Sequence, residues 1–182
     1  MKISNTKRLL AAAVAAVLML GMSLAIAEDA SPLSLEDAKA IALERARFDE
    51  AAVFMTKLAE DREDGRRVFE IEFIVDGKEY EFDIDAEAGG IIKESTETVS
   101  SRKSEVVAGQ LLTMSEAKEK ALARVGVAAD QAVFTEIEFD YDDSRAEYEM
   151  RFTVDGQTYK VELDAETGEI TKHEMKSSSG KK

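Results

Sequence analysis

The chain has 182 residues, no cysteine, one histidine, one proline and a formal net charge of −14. The missing cysteines exclude disulfides and thiolate metal sites, and a single histidine excludes a histidine-based metal centre and argues against a hydrolytic triad. Acids outnumber bases throughout, which excludes nucleic acid as a partner and disfavours an anionic membrane leaflet, because phosphate binding needs clustered Lys and Arg.

In chain order, the first segment carries Lys2, Lys7 and Arg8, an uncharged run from Leu9 to Leu24, and small residues at Ala25 and Ala27 before the first acid, Glu28. The run is shorter than the ~20 residues of a comfortable membrane span and ends in Ala-Ile-Ala, so residues 1–27 read as a secretory signal cleaved after Ala27. An uncleaved anchor is the alternative. Cleavage removes those three bases and leaves about −17 on the exported body, with the periplasm or the medium as its destination.

Ser34 with Asp37, and Thr113 with Glu116, are capping-box pairs that each predict a helix start. Leu35, Ala38, Ala42 and Ala46 then share one face, as do Met114, Ala117, Ala121 and Val125, while Lys39, Glu44, Lys118 and Glu119 are expected to face water. Loops at 48–51 and 127–130 lead into β-prone runs at 52–60 and 132–139. The polar clusters 61–65 and 140–144 read as hairpin loops.

The strands that follow alternate. Phe69, Ile71, Phe73 and Val75 oppose Glu70 and Glu72, and Tyr148, Met150, Phe152 and Val154 repeat the pattern. Tyr80, Phe82 and Ile84 oppose Glu79, Glu81 and Asp83, matched by Tyr159, Val161 and Leu163 against Lys160 and Glu162. Each sheet is thus apolar on one face and charged on the other, as an antiparallel meander covered by one helix requires.

The block Val-Asp-Gly-Lys-Glu-Tyr that begins at Val75 returns as Val-Asp-Gly-Gln-Thr-Tyr at Val154, a shift of 154 − 75 = 79 positions that holds without a gap from Leu33 to Glu94. The chain is a tandem repeat. Each copy is near the lower size limit for independent stability, so the copies either pack on one another or are modestly stable alone.

No chemistry stands out in the pattern. Asp83, Asp85, Glu87 and Gly89, echoed by Glu162, Asp164, Glu166 and Gly168, weakly resemble a calcium loop but lack its distal bidentate acid and correctly placed glycine, and read as acidic turns in which Asp85 or Asp164 bonds its own backbone. Gly89-Gly90 leads into a strand and does not form a phosphate loop. The Phe and Tyr stripe reads as sheet core, and His173, in the slot of Glu94, as an exposed strand-end residue.

The helix start Leu-Ser-Leu-Glu-Asp-Ala-Lys, the strand Val-Phe-Glu-Ile-Glu-Phe and the stretch Gly-Lys-Glu-Tyr-Glu-Phe-Asp-Ile-Asp-Ala closing on a glycine turn resemble the PepSY family. Leu163-Asp164-Ala165-Glu166-Thr167-Gly168-Glu169-Ile170 resembles its most recognisable stretch; the first copy departs there with Ala88 and Gly90 and keeps the positive-φ glycine as Gly89. The resemblance implies an α+β fold of two tandem units, each an N-terminal helix packed on a 3- to 4-stranded antiparallel sheet. The units are expected at 33–95 and 111–175, with a linker at 96–110 and a disordered tail at 176–182.

It further implies a non-catalytic exported binding module, acting on an extracytoplasmic peptidase or cell-wall hydrolase through its sheet edge or charged face. No catalytic, cofactor or metal residues are expected, and the binding residues are left open. The alternative reading is a structural acidic envelope protein that responds to divalent cations.

Overall fold

A computed structural model describes residues 33–141 and 145–177. Three α-helices, α1 (Leu35–Ala46), α2 (Ser101–Val107) and α3 (Met114–Val125), accompany eight strands: β1 (Phe54–Glu63), β2 (Arg66–Val75), β3 (Lys78–Asp85), β4 (Ile91–Thr98), β5 (Val133–Tyr141), β6 (Ala146–Val154), β7 (Gln157–Asp164) and β8 (Ile170–Ser177). The signal segment and residues 178–182 of the expected tail lie outside the described residues. Lys176 and Ser177, also assigned to the tail, belong to β8.

Local chemistry starts each element where the capping and turn residues dictate. Ser34 and Thr113 cap α1 and α3 in full capping boxes, so two orphan N–H groups per helix are satisfied. Leu35, Ala38 and Ala42 of α1, and Met114, Ala117 and Ala121 of α3, are buried against the sheet. Alanine at the middle of each stripe lets the helix axis come close, and the Phe, Ile and Met side chains beneath then fill the space. Burying each of these large side chains contributes about 1.5–3 kcal/mol.

The hairpin loops are tighter than the polar clusters suggested. Asp64 and Gly65 have φ of 50° and 83°, and the Asp76-Gly77 and Asp155-Gly156 turns share this pair of positive values. That is the two-residue turn whose twist matches its flanking strands. Pairing in the first hairpin therefore continues to Glu63 and Arg66, and part of the predicted 61–65 loop is strand. Residues 142–144 of the second predicted loop lie outside the described residues.

The expectation of two separate sheets is corrected. All eight strands form one sheet in the order β4-β3-β2-β1-β5-β6-β7-β8, antiparallel at every step. Each copy contributes four strands, and the copies join where β1 pairs with β5 through Lys57 and Glu138, Leu58 and Ile137, and Ala59 and Glu136. An isolated copy would leave β1 as an open edge with unpaired backbone groups, and pairing with the equivalent edge of the other copy closes both. Leu58, Ala59 and Ile137 are 2%, 6% and 1% exposed at this junction.

α1 lies over β1 and β2, and α3 lies over β6 and β7 and also reaches β1. The expected linker 96–110 is corrected at its start, where Thr96 to Thr98 complete β4, and Ser101–Val107 within it form α2; Ser104 and Val107 line a cavity with Phe54, Ile74 and Gly77 at one end of the sheet. From there the chain passes to Leu112, whose N–H donates to Ala165 O at 2.8 Å and whose carbonyl accepts from Tyr148 Oη at 2.9 Å. Desolvation holds the Tyr148 phenol well above its ordinary pKa, so it serves as a fixed donor that ties the entry to α3 onto β6.

Candidate functional site: the trough between the repeats

Because the copies share one sheet, α1 and α3 stand side by side over its centre with a trough between them. One end of the trough is a 320 Å³ cavity walled by Ser34, Leu35, Leu122, Val133 and Phe134 over Phe69. The other is a 400 Å³ cavity walled by Val53, Phe54, Met55, Thr113 and Met114. Ser34 and Thr113, Leu35 and Met114, Phe54 and Val133, and Met55 and Phe134 are all repeat equivalents. The ends are therefore images of one another across the internal pseudo-two-fold.

A 150 Å³ space over Leu58 shares lining residues with both ends. Above it, Lys118 of α3 reaches Glu36 of α1 at 2.7 Å, and Lys39 bridges Glu36 at 2.5 Å and Glu50 at 2.8 Å. Lys118 Nζ also lies 5.0 Å from the centre of the Phe134 ring. Burial acts to raise the Glu36 pKa, but the bonds from Lys118 and Lys39 outweigh it and hold the carboxyl below its ordinary value. Lys39 and Lys118, expected to face water, have side chains only 14% and 27% exposed. The second helix supplies the cover that the sequence of one copy does not show.

Arg67 neutralises Glu60 on the rim through bonds of 2.8 and 2.9 Å. The trough is thus apolar at both ends and charge-paired between, in a strongly acidic molecule. Such a lining suits recognition of apolar side chains. Val133 on its rim is 64% exposed, a large apolar side chain presented to solvent.

The opposite face of the sheet is charged. Following the strand registers, Ser95, Glu81, Glu72, Lys57, Glu138, Glu149, Glu162 and Lys172 form one row across all eight strands. Carboxylates stand directly opposite one another at Glu72 and Glu81, at Glu138 and Glu149, and at Glu149 and Glu162, an arrangement that costs stability. Lys57 compensates in the centre through Glu70 at 2.5 Å, and Lys160 compensates on β7 through Glu149 at 2.7 Å.

The acids of the two weak calcium-like stretches are turn residues. Asp85 Oδ1 accepts from the N–H groups of Ala88 at 2.8 Å and Glu87 at 2.9 Å, and Asp164 Oδ1 accepts from Thr167 at 2.8 Å and Glu166 at 3.0 Å. Gly89 and Gly168 close these turns with φ of 68° and 72°. Among the described residues, no group of three or more His, Asp or Glu is placed to hold a metal. His173 is exposed on β8 with its ring stacked 6.2 Å from Tyr159. Phe69, Phe73, Phe82, Tyr148 and Phe152 are buried in the core.

Sequence reasoning about single copies missed the trough. Its sequence signal is the pair of apolar runs Ala52-Val53-Phe54-Met55 and Ala132-Val133-Phe134, which open β1 and β5 at the same place in both copies.

The PepSY family, described as "Peptidase propeptide and YPEB domain", matches residues 32–94 and again 111–174. Spy1430 of Streptococcus pyogenes is 43% identical over 68 residues, which is 37% of this chain and 52% of that protein; the match spans about half the length of the curated relative. Among solved structures, the CD1622 protein of Clostridium difficile 630 is 21% identical with a TM-score of 0.43, over 82% of this chain and 97% of that one. The Bacillus megaterium YpeB C-terminal domain is 20% identical with a TM-score of 0.33, over 79% and 65%.

Proposed function

The chain belongs to the PepSY family, and from that premise we propose that it is an exported, non-catalytic binding module that docks on and restrains an extracytoplasmic peptidase or other hydrolase. The observation that carries this reading is the trough: paired apolar cavities with neutralised charges between them and Val133 exposed on the rim. Export is supported by the basic start, the apolar run and the Ala-Ile-Ala of the first segment. Among the described residues no helix is long and apolar enough to cross a membrane.

The test is capture of the partner from envelope extract on immobilised protein, followed by assay of the captured hydrolase. Wild type retains a hydrolase and lowers its activity, and Val133→Asp, which puts a charge on the apolar rim, weakens capture at least about tenfold. Recovery of no hydrolase, or equal capture by the variant, contradicts the reading. The row of carboxylates on the opposite face favours a second reading, in which that face responds to divalent cations.

A further inference from the structure

β4 and β8 are the two free edges of the sheet, and we propose that they are complementary: copies of this chain join head to tail, with β8 of one copy pairing with β4 of the next. Among the described residues, three of the four exposed large hydrophobic residues lie on these edges, Ile91, Ile92 and Met175 at 36%, 44% and 56% exposure. Each edge strand is eight residues long and free of proline; the register shift in each falls at its start, at Ile92 and at Thr171, and leaves 93–98 and 172–177 as regular edges, unlike the short or proline-broken edges that resist association. β4 carries one more acid than base, through Lys93, Glu94 and Glu97. β8 carries one more base than acid, through Lys172, Glu174 and Lys176.

The topology permits the join. Alternation of direction across an even number of strands makes β4 and β8 run oppositely, so a copy displaced sideways presents its β4 antiparallel to β8 with its helices on the same face. Backbone parity agrees. Val99 N–H donates to Gly77 O at 3.1 Å, so in the register of β3 with β4 the odd-numbered residues of β4 bond inward, and Glu94 and Thr96 turn their N–H and C=O groups outward. The same register holds for β7 with β8 down to Lys172 and turns His173 and Met175 outward.

With His173 opposite Glu94 of the next copy, Glu174 meets Lys93 and Lys172 meets Ser95, and the regular pairing ends at the register shifts of Ile92 and Thr171. Opposite charges then coincide at Glu174 and Lys93. The chain already uses this chemistry internally, where β1 meets β5.

Sedimentation velocity on the full exported chain tests the inference. Thr96→Pro removes one outward donor of β4, Met175→Pro removes one of β8, and both sit where an edge tolerates proline. Wild type is expected to form species that grow with concentration, each variant alone to stay monomeric, and an equimolar mixture of the two to form a dimer and nothing larger. Glu174→Lys should weaken association about tenfold, and adding Lys93→Glu should restore it. A wild type that is monomeric up to ~1 mM, a single proline variant that dimerises, a mixture that stays monomeric, or a charge exchange without rescue overturns it. None of these outcomes depends on hydrolase capture.

Discussion

Glu72 is the residue at which the charged face opposes folding most clearly. Burial raises its pKa, and Glu81, Glu79 and Glu138 add to the shift against the attraction of Lys57. Asp83 is raised in the same way, by burial first and then by Glu70 and Glu81. An acid whose folded pKa lies above its unfolded value binds more protons in the folded state, so its contribution falls as pH rises through the carboxylate range.

Glu72→Gln should therefore raise the melting temperature at pH 7 by ~1–2 °C, the scale of one cross-strand pair, and the gain should fade toward about pH 4. Thermal circular dichroism across that range checks it. The cation reading adds that millimolar calcium or magnesium raises wild-type melting more than that of the variant; no shift with either metal removes that reading. Asp85 and Asp164 behave oppositely. The N–H groups of Ala88 and then Glu87 lower the first, and those of Thr167, with its hydroxyl, and then Glu166 lower the second. Their contribution is present above the ordinary carboxylate range and is lost as pH falls through the lowered values.

At the scale of elements, each helix start is a local device that can be removed singly. Thr113→Ala leaves the N–H of Glu116 without its 3.3 Å acceptor and should cost about 1 kcal/mol, with Thr113→Ser close to wild type; urea denaturation measures both. Such devices were legible in the sequence because capping, Asp-Gly turns and period-2 alternation act within a few residues. The fusion of the two sheets was not, because β1 has the same alternation whether its outer edge meets solvent or β5. The nearest hint is Ala59, a small apolar residue on the charged face, where β1 is flanked by Glu70 and Glu136. Apart from the apolar runs that open β1 and β5, the trough was illegible for the same reason: Glu36 and Lys118 look like ordinary surface residues until two copies are placed side by side.

For the molecule as a whole, the join between β1 and β5 makes one structure of two small copies and creates the trough on which the proposed docking depends. If the join holds the copies as one cooperative unit, its amides open only with global unfolding. Hydrogen–deuterium exchange resolved at Lys57–Ala59 and Glu136–Glu138 measures this directly. The account predicts that these amides exchange in the slowest class, together with the buried strands β2 and β6, and far more slowly than β4 and β8. Exchange at the join as fast as at those outer edges would contradict it.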